Sequence, residues 1–365
     1  MRSPDFSPAE AGETPEENTR ENTPQDSERF SDKEKGEINL KDYPPTPEGN
    51  VKLILAHESG NRVSVDDFGD IYGAERVLGA KEDEINILEH HYRKFEKSLD
   101  EHVKDIEDPE EREAKRKKIR EVELAKQRRG EALEAILGEQ VEMSDWFGEH
   151  AYAVRTAKYD DLKNGVDMIL EFEVPDLEDE GKEERVALSV DISMNSPSVI
   201  KKVERNLDKV LAKGGAKVEF FSSRLKGGFK GELRNVIPIA IGIDGANATN
   251  LFERAAQRIR LNESIKRAKD PNIKNALEKR YNDLCVEDEN SPVQVAYLNE
   301  MLGQIVMYWR ALKGRPEHAD LRKEVKKLYG IFAAIRESKG GIKLGELKND
   351  TTYRSIVDTA KAKFK

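Results

Sequence analysis

Asn164-Gly-Val-Asp-Met-Ile-Leu-Glu-Phe-Glu173 and, shortly after it, Arg185-Val-Ala-Leu-Ser-Val-Asp-Ile-Ser193 alternate cleanly. In the first, Val166, Met168, Leu170 and Phe172 take one side, and Asp167, Ile169 and Glu171 the other. In the second, Val186, Leu188, Val190 and Ile192 stand against Ala187, Ser189, Asp191 and Ser193. Side chains alternate across a strand with a period of two, so each stretch predicts a β-strand with an apolar face. The acidic connection Glu173–Glu184 predicts a long solvated hairpin loop.

Downstream, Ser196-Pro197 or Ser198 starts a helix with Ile200, Val203, Leu207, Val210 and Leu211 on its inner side, stopped at Gly214-Gly215. Lys217–Phe221 predicts another strand, and Lys226-Gly-Gly-Phe-Lys-Gly231 a glycine-rich loop. Val236–Ile243, apolar on both faces, predicts a central strand with Pro238 near one end. Residues 150–245 thus read as an α/β core.

Upstream, Ile85, Leu88, Tyr92, Phe95, Leu99, Val103 and Ile106 recur at helical spacing, until Asp108-Pro109 breaks the run. A second helix to about Val141 makes a helical hairpin, with its arm over 81–124. Val51–His57 and Asn61–Ile71 read as short strands around Ser59-Gly60, a small β element over 51–80. Beyond Asp244, residues 250–268, 272–284, 292–313, 316–338 and 350–365 read as helices, so 246–365 is a C-terminal helical region. Met301, Ile305, Tyr308, Trp309 and Leu312 are its predicted core.

The 365 residues carry 62 basic and 72 acidic side chains, a formal charge of −10. The longest apolar run, Val236–Ile243, is far short of the ~18 residues of a spanning helix, which excludes a membrane protein. The first residues contain no apolar secretory segment. A single cysteine, Cys285, excludes an intrachain disulfide or a cysteine-built zinc site. A cytoplasmic protein is the expectation. Residues 1–50 hold 13 acidic and 6 basic side chains and 7 of the 14 prolines, the composition of a disordered acidic tail. The rest is near neutral, so a case for nucleic acid rests on local patches.

The order helix, strand, strand, helix, strand, strand, with Asp167 in Asn164–Leu170 and Asp191 in Val190-Asp-Ile-Ser193, resembles the PD-(D/E)XK nuclease-like superfamily over about residues 125–245. The resemblance implies a mixed sheet flanked by helices and hydrolysis of phosphodiesters with Mg²⁺ or Mn²⁺. It makes Asp167 and Asp191 the metal ligands, and Glu134, with Glu139 as alternative, the auxiliary acid. Ser193 departs from the pattern, standing where the family has its lysine. Some members borrow a lysine from a neighbouring element, and Lys202, Lys201 or Lys158 would serve here. The other outcome of that departure is a scaffold that keeps the fold without the reaction. The stretches Leu133–Leu137, Asp145–Gly148 and Tyr159–Asp161 are also similar to stretches of bacterial proteins with no assigned function, and imply none.

The physical case is simple. Residues i and i+2 of a strand face the same way, so Asp191 and Ser193 share a surface that Asp167 can approach from the next strand. Two carboxylates so close repel unless a cation lies between them, and Mg²⁺ takes one or two carboxylates plus waters and phosphate. Such a metal polarises the phosphoryl oxygen and acidifies the attacking water. Otherwise the two aspartates are a solvated sheet face or hydrogen-bond acceptors.

Residues 201–230 add nine basic side chains against three acidic ones. Lys201, Arg205, Lys209 and Lys213 recur every four residues, either as an ordinary outer helix face or as a nucleic-acid contact. Arg112–Arg129 carries nine basic and three acidic residues, with the same two readings. Asp160 and Asp161 either support the metal ligands or begin a turn. His90 and His91 point apart on a helix and make poor joint ligands. The 226–231 loop lacks the Gly-Lys-Ser/Thr of a P-loop, and no dinucleotide motif or catalytic triad is present. Two functions emerge: a metal-dependent nuclease or nuclease-like protein binding DNA or RNA, or a catalytically silent scaffold that binds a protein partner through its hairpin and C-terminal helices. A small-molecule enzyme is a third possibility without a cofactor motif behind it.

Overall fold

Thr46-Pro47 opens a helix where a strand was expected. The computed structural model describes residues 38–58, 62–175, 183–225 and 227–362. In it α1 (Pro47–His57) begins with Thr46 Oγ1 accepting from Gly49 N at 3.1 Å and with proline at the first helical position, where its missing N–H costs nothing. The second expected strand is also absent: Arg62 makes only an isolated bridge to Arg155. Ser64 and Asp67 then form a reciprocal capping box that leads through a short 3₁₀ turn into α2 (Gly69–Val103). Capping chemistry outweighs the β-propensity of the valines, so the small β element over 51–80 is corrected to helix. The expected turn at Ser59-Gly60, the acidic loop beyond Pro175 and the tail through residue 37 lie outside the described residues. Residues 38–50, assigned to that tail, are structured: Ile38, Leu40 and Tyr43 pack against the main core.

Asp108 Oδ1 accepts from Glu110 N at 2.9 Å, and Pro109 opens α3 (Pro109–Met143). Helices α2 and α3 form the hairpin, clamped by Glu96 between Arg116 and Arg120. Only the end of the expected α2 stripe is buried, at Leu99 and Val103; Ile85, Leu88 and Tyr92 are exposed.

The sheet comes next: β1 (Ala151–Arg155), α4 (Lys158–Asn164), β2 (Met168–Pro175), β3 (Glu183–Ser193), α5 (Ser196–Lys213), β4 (Ala216–Ser222) and β5 (Lys230–Gly242). Its order is β1-β2-β3-β5-β4. Strands β1, β2 and β3 are an antiparallel meander; β5 lies parallel to β3, and β4 runs antiparallel to the first half of β5. β5 starts earlier than expected because that half pairs with β4 before a bend, where Asn235 takes a φ of 59°. Val154 on β1 meets Val218 and Phe221 on β4 in one small cluster with Ile169, so the mixed sheet curls until its edges share a core. The outer face, Met168, Leu170, Phe172, Leu188 and Val190, packs with Leu133, Ile136 and Leu137 of α3 in the main core.

A C-terminal helical region completes the α/β fold: α6 (Gly245–Arg267), α7 (Pro271–Glu289), α8 (Pro292–Ala311), α9 (Ala319–Ser338) and α10 (Thr351–Ala362). Of the core expected on α8, Met301, Ile305, Tyr308 and Leu312 are buried, whereas Trp309 is exposed. Helix α8 also serves the free edge of β5. Tyr308 Oη donates to Pro238 O at 2.6 Å, Gln304 bonds both N and O of Ala240, and Glu300 Oε2 accepts from Gly242 N at 2.9 Å. Four helical residues rise about 6 Å and two strand residues about 6.6 Å, so side chains four apart on α8 match alternate residues of β5. Pro238 is tolerated mid-strand because its N–H would face this edge, not β3. The described residues belong to one compact unit. Among the described residues, no helix is long and apolar enough to cross a membrane.

Candidate functional site

The pairing Met168↔Val190, continued by one residue, sets Asp167 opposite Asp191 on the inner face of the curl. Asp167 sits just before β2, its Oδ2 accepting from Ile192 N at 3.3 Å. Its carboxyl is pushed well above the ordinary range, first by burial and then by the charges of Asp191 and Glu134. No ammonium or guanidinium donates to it among the described residues. Asp191, 8% exposed, is saturated by cations from α5: Lys202 Nζ donates to Oδ1, and Arg205 Nη2 to Oδ2 at 2.8 Å. Lys202 Nζ also donates to the Ile192 carbonyl at 2.8 Å.

Glu134 comes to the same charged cluster from the C-terminal half of α3. Arg62 lies 3.4 Å and Arg155 3.5 Å from its Oε2. Burial raises its pKa, which the two guanidinium groups only partly offset. Asp161 on α4 receives Lys158 at 2.8 Å and Arg62 at 3.0 Å; burial opposes its ionisation, but those two cations outweigh it and hold the carboxyl below its usual range. The neighbouring Asp160 is structural. Fully buried, it accepts from Glu219 N at 2.8 Å, Phe220 N at 2.9 Å and Asn164 Nδ2 at 2.6 Å, tying α4 to β4.

Ser193 turns toward the start of α5, 2.6 Å from Ser198 Oγ. Of the basic row, Lys201 and Lys213 are exposed, Arg205 is on Asp191, and Lys209 Nζ donates to Asn164 O at 3.0 Å. Burial, then the Arg205 charge, lowers the Lys209 pKa. Glu139, the alternative auxiliary acid, is instead paired with Arg258 at 2.6 Å in a buried network with Asp288. Arg62 and Arg155 belong to the cluster, and no motif in the sequence points to them. Arg155 ends a strand, and Arg62 lies in a segment whose residues predict a strand, so only the fold reveals their common target.

Asp167, Asp191 and the Ile192 carbonyl bring hard oxygen donors to one place, the latter two already bonded by Lys202 and Arg205. Among the described residues, no group of three or more His, Cys, Asp or Glu side chains is close enough to hold a metal. Compared with protein-family models, curated proteins and solved structures, the chain matches none.

Proposed function

We propose that the chain is a metal-dependent nuclease-like protein whose site binds the phosphodiester backbone of DNA or RNA. The observation that carries this reading is the convergence of Glu134, Asp167, Asp191 and Lys202, from α3, the start of β2, β3 and α5, on one end of the sheet. Those elements follow one another as helix, strand, strand and helix, with β1 and α4 between α3 and β2, which supports the PD-(D/E)XK resemblance, and a lysine on α5 stands by Asp191 where Ser193 leaves the motif without one. Asp167 and Asp191 would hold Mg²⁺ or Mn²⁺, with Glu134 assisting. The metal would polarise the phosphoryl group and acidify a water. Lys201 and Lys213, exposed on the same helix as Arg205 and Lys209, would meet flanking phosphates. A cytoplasmic setting accompanies this reading, since one cysteine asks for no oxidising compartment.

The test is a calorimetric Mn²⁺ titration of the full chain, beside the Asp167→Ala/Asp191→Ala pair, followed by low-salt retardation and cleavage of DNA and RNA. Binding by wild type that disappears in the folded pair is expected. Wild type that takes up neither Mn²⁺ nor nucleic acid ends the proposal.

A second reading, a protein-interaction module, is favoured by the exposed apolar residues Ile71, Leu78, Ile85, Leu88 and Tyr92 along α2. Ile85→Asp/Tyr92→Asp should then abolish partner capture and leave Mn²⁺ binding intact. Capture unchanged in that variant would reject it.

A further inference from the structure

We propose that Lys202 is the built-in counter-cation of the carboxylate site, exchanged for the divalent ion when that ion binds. The inference rests on the metal reading above and adds a threshold to it. The Lys202 ammonium touches two oxygens at once, Asp191 Oδ1 and the Ile192 carbonyl. These are the hard oxygen donors a divalent cation would take on this strand, beside Asp167 on the next. One ammonium and one divalent ion cannot share them: the charges repel, and both need the same lone pairs.

The helix geometry makes exchange possible without moving the backbone. Lys202 and Arg205 are three apart on α5 and so lie on one side of the helix, each reaching a different oxygen of Asp191. Arg205 remains on Oδ2 when Lys202 leaves. The lysine stem has four rotatable carbons and is half-buried, so its head can swing outward while the stem keeps its packing. Among the described residues no ammonium or guanidinium donates to Asp167, whose Oδ2 accepts from Ile192 N. The unloaded site is therefore asymmetric, with one carboxylate bonded directly by Lys202 and Arg205 and the other by a main-chain N–H. A divalent ion must displace the first partner before it can bridge the pair.

The experiment uses the full chain and Mn²⁺ alone. Wild type, Lys202→Met and Asp191→Asn, each checked for folding by circular dichroism, are titrated calorimetrically. In parallel, acylation of Lys202 by a soluble amine-reactive ester is followed by peptide mass spectrometry with and without Mg²⁺. Exchange predicts that Lys202→Met binds Mn²⁺ roughly tenfold or more tightly than wild type, the worth of one charge-assisted hydrogen bond removed from the competitor. It also predicts that Mg²⁺ increases Lys202 acylation in wild type, and that in Asp191→Asn the amine reacts readily with or without Mg²⁺. Mn²⁺ binding that is equal or weaker in Lys202→Met overturns the exchange while leaving the metal reading in place. Absence of binding in all three proteins overturns both.

Discussion

Glu300 is fully buried with one carboxyl oxygen satisfied: Oε2 accepts from Gly242 N, while Oε1 has no partner among the described residues. Burial, joined by the Asp350 charge, pushes its pKa well above the ordinary range despite that bond. A carboxyl raised in the folded state holds its proton where the unfolded chain has released it. Stability is therefore full below the unfolded pKa of about 4.3 and falls as pH rises from there toward the folded pKa, by up to about 1.4 kcal/mol per pH unit. Glu300→Gln keeps an acceptor for Gly242 and removes the titration. Urea unfolding from pH 4 to 8 should show a flatter stability profile in the variant; parallel profiles would contradict this. At the candidate site, Asp167→Asn removes a buried carboxyl that Asp191 repels. We expect a protein as stable as wild type at pH 7 or up to ~1 kcal/mol more stable, with Mn²⁺ binding lost, as befits a residue held for function against stability. A loss of more than about 1 kcal/mol in urea unfolding would make Asp167 a structural acceptor instead.

Between α8 and β5, side chains replace a neighbouring strand. Gln304 satisfies both main-chain groups of Ala240, so Gln304→Leu leaves a buried donor and acceptor unmade. The expected cost is about 2–4 kcal/mol, whereas Tyr308→Phe, which frees one carbonyl, should cost about 1 kcal/mol. Urea midpoints of the two variants check the ranking, and equal losses would mean that α8 contributes apolar packing alone. The hairpin behaves differently. Leu99 is buried near its turn and Ile85 is exposed along its length, so Leu99→Ala should cost about 2–5 kcal/mol and Ile85→Ala within about 0.5.

At the scale of the molecule, the sheet and the C-terminal helices are one body. Asp288 on α7 receives Arg254 and Arg258 from α6 and Gln140 from α3, and its carbonyl accepts from the buried Trp146. With the α8 ladder, this makes the segment 125–245 dependent on the helices C-terminal to it. Expressed alone, that segment should give the collapsed amide spectrum of an unfolded or aggregated chain, while residues 38–362 give dispersed resonances. A dispersed spectrum from the short segment would show that the sheet needs no helical cover.

The alternation in 164–173 and 185–193 was enough for two neighbouring strands, because a period of two admits few other structures once one face is apolar. Helix positions in α3, α5 and α8 were legible from apolar residues three and four apart, the period of a helix face. Local capping at Thr46 and Ser64 is also written in the chain, although the β-propensity of the neighbouring valines masks it. Asp167 and Asp191 were legible as candidates because they interrupt small and apolar residues on adjacent strands. Only the tertiary structure decided that Lys202, among three lysines, meets Asp191, that Arg62 and Arg155 flank Glu134, and that Ile85, Leu88 and Tyr92 of the α2 stripe stay exposed. It also decided that Glu300, Gln304 and Tyr308 edge a strand. These facts join residues tens to hundreds of positions apart, and spacing along a chain carries no information about which distant side chains the curl of a sheet will bring together.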